Sequence, residues 1–267
     1  MSTTLDISQI QVINADDRHV LDEILKPARP QLKNGVAFNE GLRCICLGET
    51  GSGKTSLMRA IVYTMIARKY ATFALVHDTK GIFPEYRHSV CVGNVNEFIS
   101  RGAFRNDDIP VVSFRGNPKR DVDVTAEEVA AFSLYLARKG SVPHVTVIEE
   151  LAEASTAGRK HVKAPSVLKL AEQGRKMGVS LVGTTQSPRK TPLDLLGQAS
   201  SIAFFRLTGA DANYLGERLD LDPSMIEAIR GPNHEGLPNY KFVLYIKGQV
   251  WDREIYSLDK RTALMFE

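Results

Sequence analysis

Eight residues constrain this chain more than any others: Gly48-Glu49-Thr50-Gly51-Ser52-Gly53-Lys54-Thr55, set between an apolar run, Leu42 to Leu47, and a helical pattern that begins at Ser56. The spacing G-x-x-x-x-G-K-[ST] is that of a phosphate-binding loop between a strand and a helix. The chemistry explains the residue types. Glycines let successive backbone N–H groups turn toward one centre, and the helix behind them adds its positive end. Lys54 supplies a point charge for the β and γ phosphates, and Thr55 offers a hydroxyl to Mg²⁺, which takes only one or two protein oxygens in such sites. With Ser56 in the first helical turn, these residues are the candidate ATP-binding set. A ligand-free glycine-rich turn would have no packing use for the Lys-Thr pair.

A chain of 267 residues, 43% hydrophobic and 24% charged, has room for one large α/β core. Its 34 basic and 31 acidic residues leave a charge of only +3, so any nucleic-acid contact must come from local clustering. Cys44, Cys46 and Cys91 match no C-x-x-C or zinc spacing and read as buried thiols in a reducing compartment. The first residues carry no basic, apolar leader, and no run approaches the roughly 18 apolar residues of a membrane span. The expectation is a soluble intracellular protein, or one carried by something assembled inside a cell.

Residues 1–34 are polar and mixed and read as an N-terminal extension, with a short helix around Arg18 to Leu25; residues 35–267 read as one domain. Its first strand is Arg43 to Leu47, and the following helix places Leu57, Met58, Ile61, Val62, Met65 and Ile66 on one side. A second strand, Thr72 to His77, ends at Asp78-Thr79-Lys80-Gly81, a D-x-x-G of the GTPase kind; no N-K-x-D accompanies it, which argues against a GTPase. A helix near Asn94 to Ser100, a strand from Ile109 to Phe114 and a turn carrying Arg115, Lys119 and Arg120 follow. Thr125 and Glu128 have capping-box spacing and open a helix stopped by Arg138-Lys139-Gly140. The alternation predicts an α/β fold with helices around a parallel sheet.

Val145 to Ile148 is an apolar strand that ends in Glu149-Glu150. Beside a phosphate loop, one carboxylate is needed for the magnesium shell and one to polarise the attacking water. Adjacent residues can do both where a chain leaves its pleat. Glu149 is assigned to the metal and Glu150 to the water; a pair of solvated acids opening a helix would look the same. Beyond lie a basic cluster, Gly158 to Lys163, a helix starting at Pro165, a strand from Val179 to Thr184 leading into Thr185-Gln186-Ser187-Pro188, a short helix Leu193 to Leu196, and a strand from Ser201 to Leu207. Helices over Asp211 to Leu219 and after Asp222-Pro223 precede two strands, Lys241 to Lys247 and Val250 to Tyr256, which read as a hairpin about Gly248-Gln249 at the sheet edge.

Taken together, the phosphate loop, Asp78-x-Lys80-Gly81, Glu149-Glu150 and above all the segment from Gly174-Arg175-Lys176-Met177-Gly178 to Thr185-Gln186-Ser187-Pro188 resemble the HerA/FtsK superfamily of DNA-pumping ATPases, over roughly Gly41 to Leu219. The resemblance implies a three-layer RecA-like fold with a mostly parallel central sheet. It makes Gln186 the polar sensor and Arg175 an arginine finger supplied to the neighbouring subunit, with Arg206 in reserve. The superfamily usually has Asp where this chain has Glu149, one methylene longer. Without a membrane span or a large added domain, the chain resembles the compact genome-packaging ATPases of tailless, membrane-containing double-stranded DNA viruses. That likeness implies a ring of six copies, duplex DNA in its channel, a viral vertex or portal protein as anchor, and a place in the virion or host cytoplasm. Arg159, Lys160 and Lys163 are the first candidates for facing DNA, and Arg115, Lys119 and Arg120 the second. The competing readings are a cellular HerA-like DNA-processing ATPase or helicase, a nucleotide-switched adaptor, and a small-molecule kinase, for which no arginine-rich lid is evident.

Overall fold

The computed structural model describes residues 17, 19–33, 36–38, 40–78, 89–100, 111–115, 122–140, 142–154, 164–231 and 235–259. A nine-stranded sheet organises them. In chain order its strands are β3 (Arg43–Leu47), β4 (Phe73–His77), β5 (Ser89–Val92), β6 (Val111–Phe114), β7 (His144–Ile148), β8 (Val179–Thr185), β9 (Ser201–Phe204), β10 (Lys241–Ile246) and β11 (Tyr256–Ser257). They lie in the spatial order β11-β10-β9-β3-β8-β7-β4-β6-β5. All neighbours from β9 to β5 are parallel, and only β10 and β11 run antiparallel. A separate antiparallel pair, β1 (Gln31–Lys33) and β2 (Val36–Phe38), precedes the sheet.

The central strands are apolar on both faces because both are covered, as a parallel sheet requires. Successive side chains of β3 divide between two cores: Ile45 and Leu47 join one, Cys44 and Cys46 the other. The first core lies under α4 (Val122–Arg138), α6 (Pro165–Gln173), α7 (Leu193–Gln198), α8 (Gly209–Leu219) and α9 (Pro223–Arg230). The second lies under α2 (Lys54–Ala67) and α1 (His19–Leu25). Val20, Ile24 and Leu25 of α1 are buried with Leu57, Ile61 and Met65 of α2, so this part of the extension packs on the core. Covered on both sides, α2 is buried well beyond the one-sided stripe its sequence suggests, Arg59 and Tyr63 included.

Three details differ from the sequence reading. Helix α2 begins at Lys54, two residues before Ser56, because the loop turns directly into it through Gly53 at φ +110°. Helix α4 begins at Val122, so Thr125 is buried inside it and does not cap it. The last two strands do not form a tight hairpin: Tyr256 and Ser257 pair with Phe242 and Lys241, at the start of β10, so residues 247–255 form the connection. Among the described residues no helix is long and apolar enough to cross a membrane, and Cys44, Cys46 and Cys91 form no disulfide.

Candidate active site

Because β3, β4, β7, β8 and β9 are parallel, their carboxyl ends share one edge of the sheet, where open α/β sheets place their ligands. The phosphate loop leaves β3 there. Gly48, Gly51 and Gly53 have φ of +153°, +72° and +110°, a backbone that side chains rarely allow. A Cβ on Gly48 would come within 2.7 Å of Phe205, whereas one on Gly51 would meet nothing within 4 Å, so the loop rests on β9 and stays open above Gly51. Gly48 N–H donates to Thr185 O (3.2 Å) and Glu49 N–H to Arg206 O (2.9 Å), which ties the loop to both neighbouring strands.

Three observations fit this loop to a phosphate chain. The N-terminus of α2 has no side-chain cap, so its first amides face the loop without a side-chain acceptor. The Ser52 hydroxyl is fully buried and has no hydrogen-bond partner. Lys54 is buried, and its Nζ is folded back to donate to Glu49 O at 2.6 Å, within the loop it would leave to reach an anion. For Mg²⁺ the candidate oxygen donors at this edge include Thr55 and Glu149. Among the described residues no group of three or more His, Cys, Asp or Glu forms a metal cage. Mg²⁺ keeps most of its water and takes one or two protein oxygens in such sites.

Glu149 and Glu150 follow β7. Glu149 is 3% exposed, and its N–H donates to His77 O on β4. Glu150 turns at φ +52°, a left-handed conformation that costs a residue with a side chain about 1–3 kcal/mol where it is imposed. The turn carries its carboxylate over β8: Oε1 accepts from Thr185 Oγ1 (2.9 Å) and from Gln186 N–H (3.0 Å). The Gln186 Oε1 in turn accepts from Thr50 Oγ1 in the phosphate loop at 2.6 Å. Leu151 begins α5 (Leu151–Ala154) and packs where Gly183 has no side chain; a Cβ there would lie 2.4 Å from Leu151 Cδ1. Asp78, buried after β4, accepts from Ser113 Oγ at 2.9 Å.

Arg175 lies elsewhere. It follows α6 and precedes β8, whose seven residues cross the sheet, so it sits at the opposite edge, about 20 Å or more from its own phosphate loop at roughly 3.3 Å per residue. There it is exposed and pairs with Glu40. The buried guanidinium of Arg43 stands beside it, donating to Ala171 O, Leu42 O, Val179 O and Leu170 O at 2.7–3.1 Å. Burial first, and the charge of Arg175 second, lower the Arg43 pKa to about 9, which leaves it charged at neutral pH. Arg206, the reserve for a finger, pairs within its own chain: its Nε donates to Glu49 Oε2 at 2.8 Å. Arg159, Lys160, Lys163, Lys119, Arg120 and the Thr79-Lys80-Gly81 turn lie outside the described residues. Sequence reasoning passed over Thr185 and the place of Arg206. The Thr-Thr-Gln run at the end of β8 was the available signal for the first.

No protein-family model matches the sequence, and no curated protein does. Solved structures do match. The genome packaging NTPase B204 of Sulfolobus turreted icosahedral virus 2, in complex with sulfate, superposes with a TM-score of 0.60 at 16% identity over 82% of this chain and 98% of that one. The same protein in complex with ATP-gammaS gives 0.59 at 17% identity over the same shares. The bacterial conjugative coupling protein TrwBdeltaN70 gives 0.54 at 11% identity over 89% of this chain and 91% of that one. These are the neighbours to which the HerA/FtsK resemblance points, and the chain has their fold, that of a RecA-like P-loop ATPase.

Proposed function

We propose that this chain is an ATP-hydrolysing DNA translocase, the motor ATPase of a viral genome-packaging machine, working as a ring of six copies around duplex DNA. Residues 35–267 are its ATPase unit and residues 1–34 an extension of it. The observation that carries this reading is the hydrogen-bonded path from Thr50 through Gln186 to Glu150, which joins the phosphate loop to the acidic pair at one sheet edge. The likeness in fold to a packaging NTPase and a conjugative coupling protein supports the choice of a DNA motor over a kinase.

In this reading the loop amides, Lys54 and Ser56 hold the triphosphate, and Thr55 and Glu149 would hold Mg²⁺, whose charge offsets that of the phosphates. Glu150 accepts the proton of a water as its oxygen bonds to the γ-phosphorus and the bond to the β–γ bridging oxygen breaks. Lys54 balances the charge that the leaving ADP gains. Gln186, bonded to both Thr50 and Glu150, reports whether the γ-phosphate is in place. Arg175 is too far from its own site to act there, so it serves the next copy's site, which makes turnover depend on assembly. Arg159, Lys160 and Lys163 meet DNA phosphates without reading sequence.

The test is the ATPase rate of a sample of known oligomeric mass, measured against duplex length and salt. Stimulation that grows with duplex length and fades with salt is the expected result. Hydrolysis indifferent to duplex at every length, by an assembled ring, leaves an adaptor and overturns the motor. Turnover that requires a small-molecule acceptor overturns both.

A further inference from the structure

The loop strand β3 has β8 and β7 on one side and β9 on the other. Glu149, Glu150 and Gln186 all stand on the β8–β7 side, so the end of a triphosphate that reacts must face that way. The nucleoside end then leaves the loop toward β9. At that point, directly after β9, the chain places Arg206.

Three features set this guanidinium apart from an ordinary surface charge. Its backbone is part of the loop's seat, since Arg206 O accepts from Glu49 N–H. Its stem is fixed: Gly236, at φ +85°, has no side chain where a Cβ would come within 2.6 Å of Arg206 Cγ. Its side chain is 35% exposed and, among the described residues, is engaged through Nε alone, by Glu49 Oε2 at 2.8 Å, so both terminal nitrogens keep their donors. Glu49 itself is a loop residue, its side chain 43% exposed, and it puts a negative charge into a cradle built for anions. A half-exposed ion pair contributes little to stability, so exchanging Glu49 for a phosphate oxygen costs little.

We propose that Arg206 binds the α-phosphate of the nucleotide in its own subunit, and that Glu49 is the counter-ion it gives up to do so. The pair is thus a charge held ready inside the nucleotide site, distinct in role from Lys54, which serves the β and γ phosphates. Glu49 competes with the incoming phosphate and Arg206 attracts it, so their removal has opposite effects. This inference rests on the ATP-binding reading above.

The experiment is calorimetric titration of the assembled protein with ATP, ADP and AMP, at one low salt concentration, for the wild type, Arg206→Ala, Arg206→Lys and Glu49→Gln. Charge-assisted hydrogen bonds of this kind lead us to expect about a tenfold weaker affinity for all three nucleotides in Arg206→Ala, partly recovered in Arg206→Lys. Glu49→Gln should bind all three several-fold more tightly. Should Glu49→Gln and Arg206→Ala weaken binding together, the pair is only a strut beneath the loop and the proposal fails. A loss in Arg206→Ala confined to ATP would place the arginine at the γ-phosphate and also overturn it. A wild type that binds none of the three nucleotides refutes the ATPase reading itself, a result separable from either failure.

Discussion

The two edges of the central sheet are made from the same strands and differ in how they treat their polar groups. At the carboxyl edge three loop glycines and Glu150 have positive φ. A helix begins there without a side-chain cap, and Ser52 is buried without a partner. At the amino edge most buried polar groups have partners, Ser201 Oγ being an exception. Arg43 reaches four carbonyls, Ser180 accepts from Leu42 N–H, and His144 accepts from Ser133, which accepts from Thr146. Buried polar groups are ordinarily satisfied. An edge that satisfies them holds the fold, and an edge that leaves them open awaits a ligand. Substitutions at the two edges should therefore separate chemistry from stability.

The largest effect is expected at the carboxyl edge. Glu150→Gln keeps the shape and removes the proposed base, so turnover should fall about 10³-fold, the range of general-base catalysis, with ATP still bound and the melting temperature hardly moved. Loss of ATP binding in this variant would refute the division of roles between Glu149 and Glu150. Arg43→Met tests the other edge. It strips donors from the carbonyls of Leu170, Ala171 and Val179, and denaturant unfolding should show about 3 kcal/mol lost.

His144 gives the same edge a pH signature. Its Nδ1–H faces Val142 O, its Nε2 accepts from Ser133, and Phe73 stacks on the ring at 4.9 Å. Burial lowers its pKa from 6.5 to about 4, so the folded protein holds it neutral. Between those values the unfolded chain binds the extra proton, and stability must fall as the pH drops from about 6.5 to 4, by about 3 kcal/mol in all at 1.36 kcal/mol per unit. Subtracting the unfolding curve of His144→Gln from that of the wild type isolates this contribution. A flat difference over that range would show that the histidine is not held neutral. Smaller again is Gly183→Ala, whose Cβ would drive Leu151 off its seat beside Glu150. Overpacking of this kind costs about 1–2 kcal/mol, and displacement of the base should lower turnover about tenfold with ATP affinity kept.

Much of this contrast was legible in the sequence. The loop, the acidic pair and Gln186 sit at strand ends, where periodicity stops and chemistry-bearing residues begin, and β3, β4, β7 and β8 each fall within two residues of the runs that announce them. Other features depend on partners far along the chain. Among the described residues strand β5 has only one neighbour, β6, and its four residues carry too short a pattern to stand out. Thr125 has the spacing of a cap, but the helix extends to Val122 and takes it inside. Nothing local in Arg206 distinguishes a finger for the neighbour from a partner for Glu49. The pairing with Glu49 follows from the adjacency of β9 to β3, set by residues more than a hundred positions apart.

The pair Arg175–Glu40 gives the smallest effect on stability and the sharpest comparison of the two edges. It is exposed on the satisfied edge, Arg175 57% and Glu40 38%, and such pairs contribute about 0–1 kcal/mol. Arg175→Ala and Glu40→Gln should therefore unfold within about 1 kcal/mol of the wild type and of each other. If Arg175 does no more than hold Glu40, the two variants also behave alike in turnover. If it completes the neighbour's site, Glu40→Gln hydrolyses ATP and Arg175→Ala does not. Mixing settles the direction: in a ring of Arg175→Ala and Glu150→Gln subunits, a site with an intact Glu150 can receive an intact Arg175 from the next copy. Partial activity should return there, and none should return if the guanidinium acts within its own chain.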